Sequence, residues 1–194
     1  MGGNTKKGIH AEISTETAWE GVQDDFNLSD SIVIEAGEYT FTGFEGRFGT
    51  SEAKRISLRG DVYAGQFYDG NRLGFEAEFN INFSSSFILS PGYEFNHISF
   101  PDRASNNVLN IHAINMKALV MLSTKFSASV FVQYINTEDE FIGNFRLRYN
   151  PREGNDFYLV YNDNRCFIDK RQIEGHPSFH NRIIMLKYTH TFTL

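Results

Sequence analysis

The chain has 194 residues, a net charge of −6 at pH 7, a single Cys, a single Trp and four Pro, and 15% of its residues are aromatic. That length holds one domain with a sizeable interior, or one small barrel. The mild acidity, with no Lys/Arg cluster set among aromatics, excludes a nucleic-acid surface, and the lone Cys166 excludes an internal disulfide framework and a Cys-rich zinc site.

The first residues, Met1 to Gly8, carry two lysines but no apolar run behind them, so they are no signal peptide. Residues 1–7 are expected to be disordered, and an exported protein starting here would be a mature form or a fragment. No stretch approaches the roughly 18 consecutive apolar residues of a spanning helix. Instead, period-two alternation predicts about ten strands: 8–19, 39–48, 54–68, 71–83, 87–99, 107–121, 126–137, 140–150, 156–163 and 181–194. Residues 14–22 also fit a short amphipathic helix. Two connections are long, 20–38 and 164–180. Trp19, at the edge of the first, reads as an interfacial or packing residue.

The Asp69-Gly70 pair reads as a two-residue hairpin turn. It sets Ile56, Leu58, Gly60 and Val62 opposite Phe83, Ile81, Phe79 and Ala77 on one face, with Phe79 covering the bare backbone of Gly60. The other face receives Arg59, Asp61, Glu76 and Glu78. A turn at Glu138-Asp139 repeats the pattern: Tyr134, Val132, Val130 and Ala128 meet Gly143, Phe145, Leu147 and Tyr149, while the reverse face holds Gln133, Asn144, Arg146 and Arg148. A one-residue slip would scramble both hairpins.

Clean sorting alone fits a soluble sandwich or barrel as well as a membrane barrel. Two features favour the membrane. The polar face carries charges and amides, while the apolar face carries Phe75, Phe145, Tyr134 and Tyr149 near strand ends, as in interfacial aromatic girdles. The last strand alternates Leu186, Tyr188, Phe192 and Leu194 with Lys187, Thr189, Thr191 and Thr193 to the final residue, and so resembles the C-terminal assembly signal of outer-membrane barrels, with Leu where Phe is usual and His190 interrupting the row.

Asp61 opposite Glu78, with Glu76 close by, fits a cation site or an acid/base pair, but also ordinary interior charge neutralised by Arg59; the second reading is favoured because barrel interiors are rich in such groups. Arg146 and Arg148 fit an anion-selective ladder or, by the same argument, partners for interior carboxylates. Loop 164–180 holds Cys166, Asp169, Glu174, His176 and His180. Pro177 disfavours the helix that would align the two histidines on zinc, so a solvated loop is expected and no metal or cofactor is assigned. There is no Gly-x-Ser-x-Gly or His-Glu-x-x-His motif, and no catalytic residue is assigned.

Over 32–194 the ordered segments Gly37-Glu38-Tyr39, Gly65-Gln66-Phe67-Tyr68-Asp69-Gly70, Val132-Gln133-Tyr134, Asn144-Phe145-Arg146-Leu147-Arg148-Tyr149, Gly154-Asn155-Asp156-Phe157-Tyr158-Leu159-Val160-Tyr161-Asn162 and Lys187-Tyr188-Thr189 resemble the C-terminal part of an uncharacterised outer-membrane barrel family common in Bacteroidetes-type bacteria. Longer members of that family carry an N-terminal domain similar to family-nine carbohydrate-binding modules, which this chain lacks. The resemblance implies a periplasmic C-terminus and contact with the outer-membrane assembly machinery.

The expectation is therefore an all-β, antiparallel, up-and-down transmembrane β-barrel spanning 1–194, set in the lipid bilayer of the outer membrane. Its role would be non-catalytic: passage, docking or surface binding, with a possible tie to carbohydrate uptake. Arg59, Asp61, Glu76, Glu78, Arg146, Arg148 and Lys187 should face the lumen. Phe75, Phe79, Phe145, Tyr149, Tyr188, Phe192 and Leu194 should face lipid. The competing expectation is a soluble β-barrel or sandwich that binds a small apolar ligand.

Overall fold

The computed structural model describes residues 2–5, 8–29, 31–103, 108–137, 139–166 and 180–191. The strands are β1 (Gly2–Asn4), β2 (His10–Val22), β3 (Phe26–Ser29), β4 (Ile32–Ile34), β5 (Gly37–Gly49), β6 (Ile56–Phe67), β7 (Gly70–Ser84), β8 (Phe87–Ser99), β9 (Val108–Met121), β10 (Phe126–Ile135), β11 (Glu140–Arg152), β12 (Asn155–Cys166) and β13 (His180–His190). Eleven of them form one sheet in chain order, β1-β2-β5 through β13, and β3 pairs only with β4. Every pairing with a resolved register is antiparallel. The fold is all-β, antiparallel and up-and-down. The ten expected strands are β2 and β5–β13. Residues 14–22 lie within β2 rather than in a helix, Gly2–Asn4 pair with β2 where disorder was expected, and a small hairpin occupies the long 20–38 connection.

Both hairpin registers differ from expectation by two residues, which preserves every face. In the first, the turn is Tyr68-Asp69, one residue earlier, with Tyr68 in the left-handed region at φ 52°. Gly70 does not supply a positive φ. It is buried where an added Cβ would meet the Ser99 carbonyl and the Phe100 ring. Tyr68 packs edge-on against Phe26, Tyr39, Phe41 and Phe67. Tertiary packing has overridden turn propensity. In the second hairpin Tyr134 pairs with Phe141, Val132 with Gly143 and Val130 with Phe145. Here Asp139 takes the positive φ, at 44°, and accepts a 2.6 Å hydrogen bond from the Tyr134 hydroxyl. Gly60 is covered by an aromatic ring, but that ring is Phe48 of β5, its direct cross-strand partner, not Phe79.

Contacts divide the chain into two compact units: Met1–Ala53 with Ser57–Glu78 and Tyr93–His112, and Lys54–Ile56 with Phe79–Gly92 and Ala113–Leu194. In the first, one sheet face carries exposed Ile13, Trp19, Phe44, Val62 and Leu73, and the other carries Glu45, Arg47, Asp61 and Tyr63. The buried core of this unit is Ile32, Ile34, Ile98 and Phe100, flanked by Leu28, Tyr39, Phe67, Tyr68, Leu109 and Ile111.

In the second unit, register places Val130, Phe145, Tyr161 and Ile184 on one face of β10–β13, and Ser129, Arg146, Val160 and Met185 on the other. On the apolar face a row of rings crosses four strands. Phe126 and Tyr149 lie 6.3 Å apart, Tyr149 and Phe157 6.3 Å, and Phe157 and Tyr188 4.6 Å. Six residues further along β12, about 20 Å at the usual strand rise, the same face turns ionic. There Asp163, its side chain only 7% exposed, meets Arg165 and Arg182 and accepts a hydrogen bond from the Tyr161 hydroxyl.

Candidate functional site

Alternation along β5–β8 gathers most of the charged side chains of these strands in the first unit onto one face. They line a groove of about 750 Å³ that includes Glu16, Glu45, Arg47, Arg59, Asp61, Tyr63, Arg72, Glu76, Glu94 and Asn96. Arg47 stands between two carboxylates, 2.7 Å from Glu45 and 3.5 Å from Asp61. Its cross-strand partner is Asp61, so Arg47 rather than Arg59 neutralises that carboxylate. Arg59 instead reaches the exposed Glu52 at 3.2 Å. Arg72 lies over the Tyr63 ring at 5.3 Å and donates to Asn96 Oδ1 at 2.7 Å, and Asn96 in turn donates to Glu94 at 2.7 Å. Asn96 is buried, and this chain satisfies both ends of its amide.

Arg59, Asp61 and Glu76 line this one groove, whereas Glu78 does not. Counting back from the observed turn sets Asp61 opposite Glu76 rather than Glu78, a rung consistent with the 2.8 Å bond from Asn82 N to the Arg55 carbonyl. Phe75 and Val62 border the groove too, although alternation directs their side chains away from Glu76 and Asp61.

The second unit has its own groove, about 540 Å³, lined by Arg146, Asp156, Tyr158, Val160, Met185, Lys187, Thr189 and Thr191. Arg148 is held by Asp156 at 2.7 Å, and Asn150 donates to the same oxygen at 3.0 Å. Arg146 and Lys187 form no ion pair with a described residue. On the polar faces of these strands Asn144 donates to Asn162, and Ser90 to Asn80. Of the residues expected on the other face, Phe79, Tyr149 and Tyr188 are exposed there, and Phe145 is half-buried beside Val130 and Tyr161. Phe192, Leu194, Asp169, Glu174 and His176 lie outside the described residues, as do the side chains of Cys166 and His180. Among the described residues no cluster of His, Cys, Asp or Glu is arranged to hold a metal ion.

Sequence reading missed Arg47, Arg72, Asn96 and Arg103. Arg47 had a signal, because Phe44-Glu45-Gly46-Arg47-Phe48 alternates and places it beside Glu45. The others depend on partners 24 and 34 residues away. Both grooves are surfaces of mixed charge, and among the described residues neither sets a nucleophile against a base.

No family model and no curated protein matches the chain. Two solved structures align along nearly its whole length. One is a KdgM porin in complex with disordered oligogalacturonate, at 9% identity and a TM-score of 0.43, covering 100% of this chain and 90% of that one. The other is a NanC porin, at 10% identity and a TM-score of 0.48, covering 98% of this chain and 97% of that one.

Proposed function

We propose that this chain is an outer-membrane β-barrel protein with a non-catalytic role, the passage of small polar solutes. In this reading the face bearing Phe75, Phe79, Phe145, Tyr149, Tyr188, Phe192 and Leu194 meets lipid. The face bearing Arg59, Asp61, Glu76, Glu78, Arg146, Arg148 and Lys187 lines an aqueous interior. The observation that carries it is an apolar face left uncovered by protein: Leu186 is 77% exposed, Ile184 74% and Phe44 62%. A sheet must cover its apolar face with a second layer, and large contiguous apolar exposure marks an interaction surface. Lipid supplies that layer. The ring row Phe126–Tyr149–Phe157–Tyr188 and the Asp163–Arg165–Arg182 cluster then mark its two limits on β12 and β13.

Closure follows from the same physics, because an open edge in hydrocarbon costs several kcal/mol per unpaired backbone group. The terminal strand pairs with β12 on one side and, in this reading, with the first strands or another chain's edge on the other. Loops 20–38, 69–70, 100–106, 138–139 and 164–180 face outward, and turns 49–53, 84–86, 122–125 and 151–155 face the periplasm. The link to carbohydrate uptake rests on the resemblance over 32–194, and transport of neutral and acidic sugars tests it.

The experiment is refolding into detergent and then a planar bilayer. The proposal expects aggregation without detergent, a β-rich spectrum with detergent, a gel band whose mobility shifts on boiling, and ion conductance. A monodisperse protein in plain buffer would overturn it in favour of a soluble carrier of a small apolar ligand. Cysteine labelling on intact cells checks sidedness: reaction in loop 164–180 and none at 151–155 is expected, and the reverse would invert the topology.

A further inference from the structure

We propose that the β3–β4 hairpin is a fixed constriction across one end of the passage, with Arg103 as the positioning residue that holds it there; this rests on the channel reading above. The hairpin leaves the main sheet and pairs only with itself. A loop that simply joined two strands at a barrel rim would run through solvent. Here Ile32 and Ile34 are 1% and 0% exposed, packed with Ile98 and Phe100 and flanked by Tyr39, Phe67 and Ile111.

The face onto which it folds decides the matter. Tyr39 lies six residues from Glu45, Phe67 six from Asp61, and Ile98 two from Asn96, so period two puts all three on the face of the charged groove. The hairpin therefore covers the polar face, not the apolar one. It also stands directly at the end of the groove, because its contact Ile98 is followed along β8 by the groove residues Asn96 and Glu94.

Arg103 fastens the arrangement from above. Its guanidinium donates to both oxygens of Asp69, at 2.6 and 2.7 Å, and to the Val33 carbonyl on the hairpin at 2.8 Å, and lies 4.2 Å over the Phe100 ring. One planar group thus ties the hairpin to the β6–β7 turn and to its own loop. A bidentate fork of this kind needs arginine geometry. Residues fixed in this way narrow the path by side-chain volume, so the passage admits small hydrophilic solutes and refuses bulky ones.

The test compares the full chain, Arg103→Ala, Arg103→Lys and a version with 26–34 replaced by a Gly/Ser segment of equal length. Each is refolded and checked for the heat-shifted band. Readouts are single-channel conductance and liposome swelling in neutral sugars of increasing size. The replacement is expected to raise conductance severalfold and admit larger sugars. Arg103→Ala should show the wild-type level interrupted by excursions to a higher one, with Arg103→Lys between the two. A silent wild type beside a conducting replacement also supports the proposal, as complete occlusion. Equal conductance and an equal size limit in all versions would overturn the constriction while leaving the channel standing. If every version gives the heat-shifted band and none conducts, the channel reading falls and takes the constriction with it. Should the replacement fail to insert, Arg103→Ala decides, and a steady wild-type current in it would overturn the proposal.

Discussion

The two units solve the problem of a one-sided sheet differently. The first has a core of its own, in which Ile32 and Ile34 of the β3–β4 hairpin are buried against Ile98 and Phe100 over part of the polar face. Its groove is acidic, with Glu16, Glu45, Asp61, Glu76 and Glu94 against Arg47, Arg59 and Arg72. The second has no large side chain fully buried among its described residues. It holds together by long ladders and a row of rings, and its groove carries Arg146 and Lys187 against Asp156. The contrast teaches that apolar content and a hydrophobic core are separate matters. The second unit is rich in Phe, Tyr, Leu and Ile and fully buries none of them among its described residues, so under the proposed reading an outside layer stabilises it, whereas the first has part of its stability built in.

The contrast can be broken most forcefully at β13. Deleting 187–194 removes the rungs of Tyr158, Phe157, Asp156 and Asn155 with that strand and leaves a bare edge on β12, which lipid does not tolerate. Loss of the heat-shifted band is expected. A truncated chain that still assembles would show that the second unit does not need its edge sealed. A charge on the apolar face comes next. Phe79→Arg should cost about 2–4 kcal/mol if it sits near the membrane midplane, while Asn80→Arg, one residue on, should cost much less; equal effects in a urea refolding titration would contradict the face assignment.

Glycines sharpen the comparison further. Gly70→Ala in the first unit forces a methyl onto the Ser99 carbonyl and the Phe100 ring and should cost about 1–3 kcal/mol. Gly143→Ala in the second meets the Phe141 ring at 3.3 Å and little else, so a near-neutral change is expected from the same titration. The smallest effect is a pH response confined to the first unit. Hydrogen bonds from Arg103 hold the Asp69 carboxyl below its ordinary value, and Arg103 is raised in turn. A depressed carboxylate contributes fully above its unfolded value, and the contribution is lost as pH falls through the lowered one. Tyr39, Tyr68, Glu20, Glu35 and Asp25 also surround this corner. Protease cleavage within 26–34 should therefore stay flat from neutral pH down to about 4 and rise below it, with Asp69→Asn cleaved readily at every pH.

Much of this was legible because period two is a local property. The alternations in β6, β7, β10 and β11 assign faces without knowledge of any partner, and a turn misplaced by one residue moves pairing by two and leaves each side chain on its own face. For that reason Asp61 and Glu76 shared a surface in the sequence reading although their rung was wrong. What stayed hidden depends on contacts distant in sequence. Asp69-Gly70 is a strong turn signal, but the Tyr68 ring, seated among Phe26, Tyr39, Phe41 and Phe67, moves the turn back by one residue. The segment 20–38 reads only as a long connection, because its buried residues Ile32 and Ile34 have their partners, Ile98 and Phe100, more than sixty residues later. Arg103 carries no local sign of its three-way hold.

The chain contains a built-in probe of its central claim, that one sheet face meets lipid and the other water. Its single tryptophan, Trp19, stands on the apolar face of β2, opposite Thr40 and 77% exposed. In the refolded protein in vesicles, phospholipids brominated near the headgroup end of their acyl chains should quench its fluorescence strongly, and aqueous iodide should quench it little. Strong iodide quenching with no response to the brominated lipid would place this face in water and contradict the account.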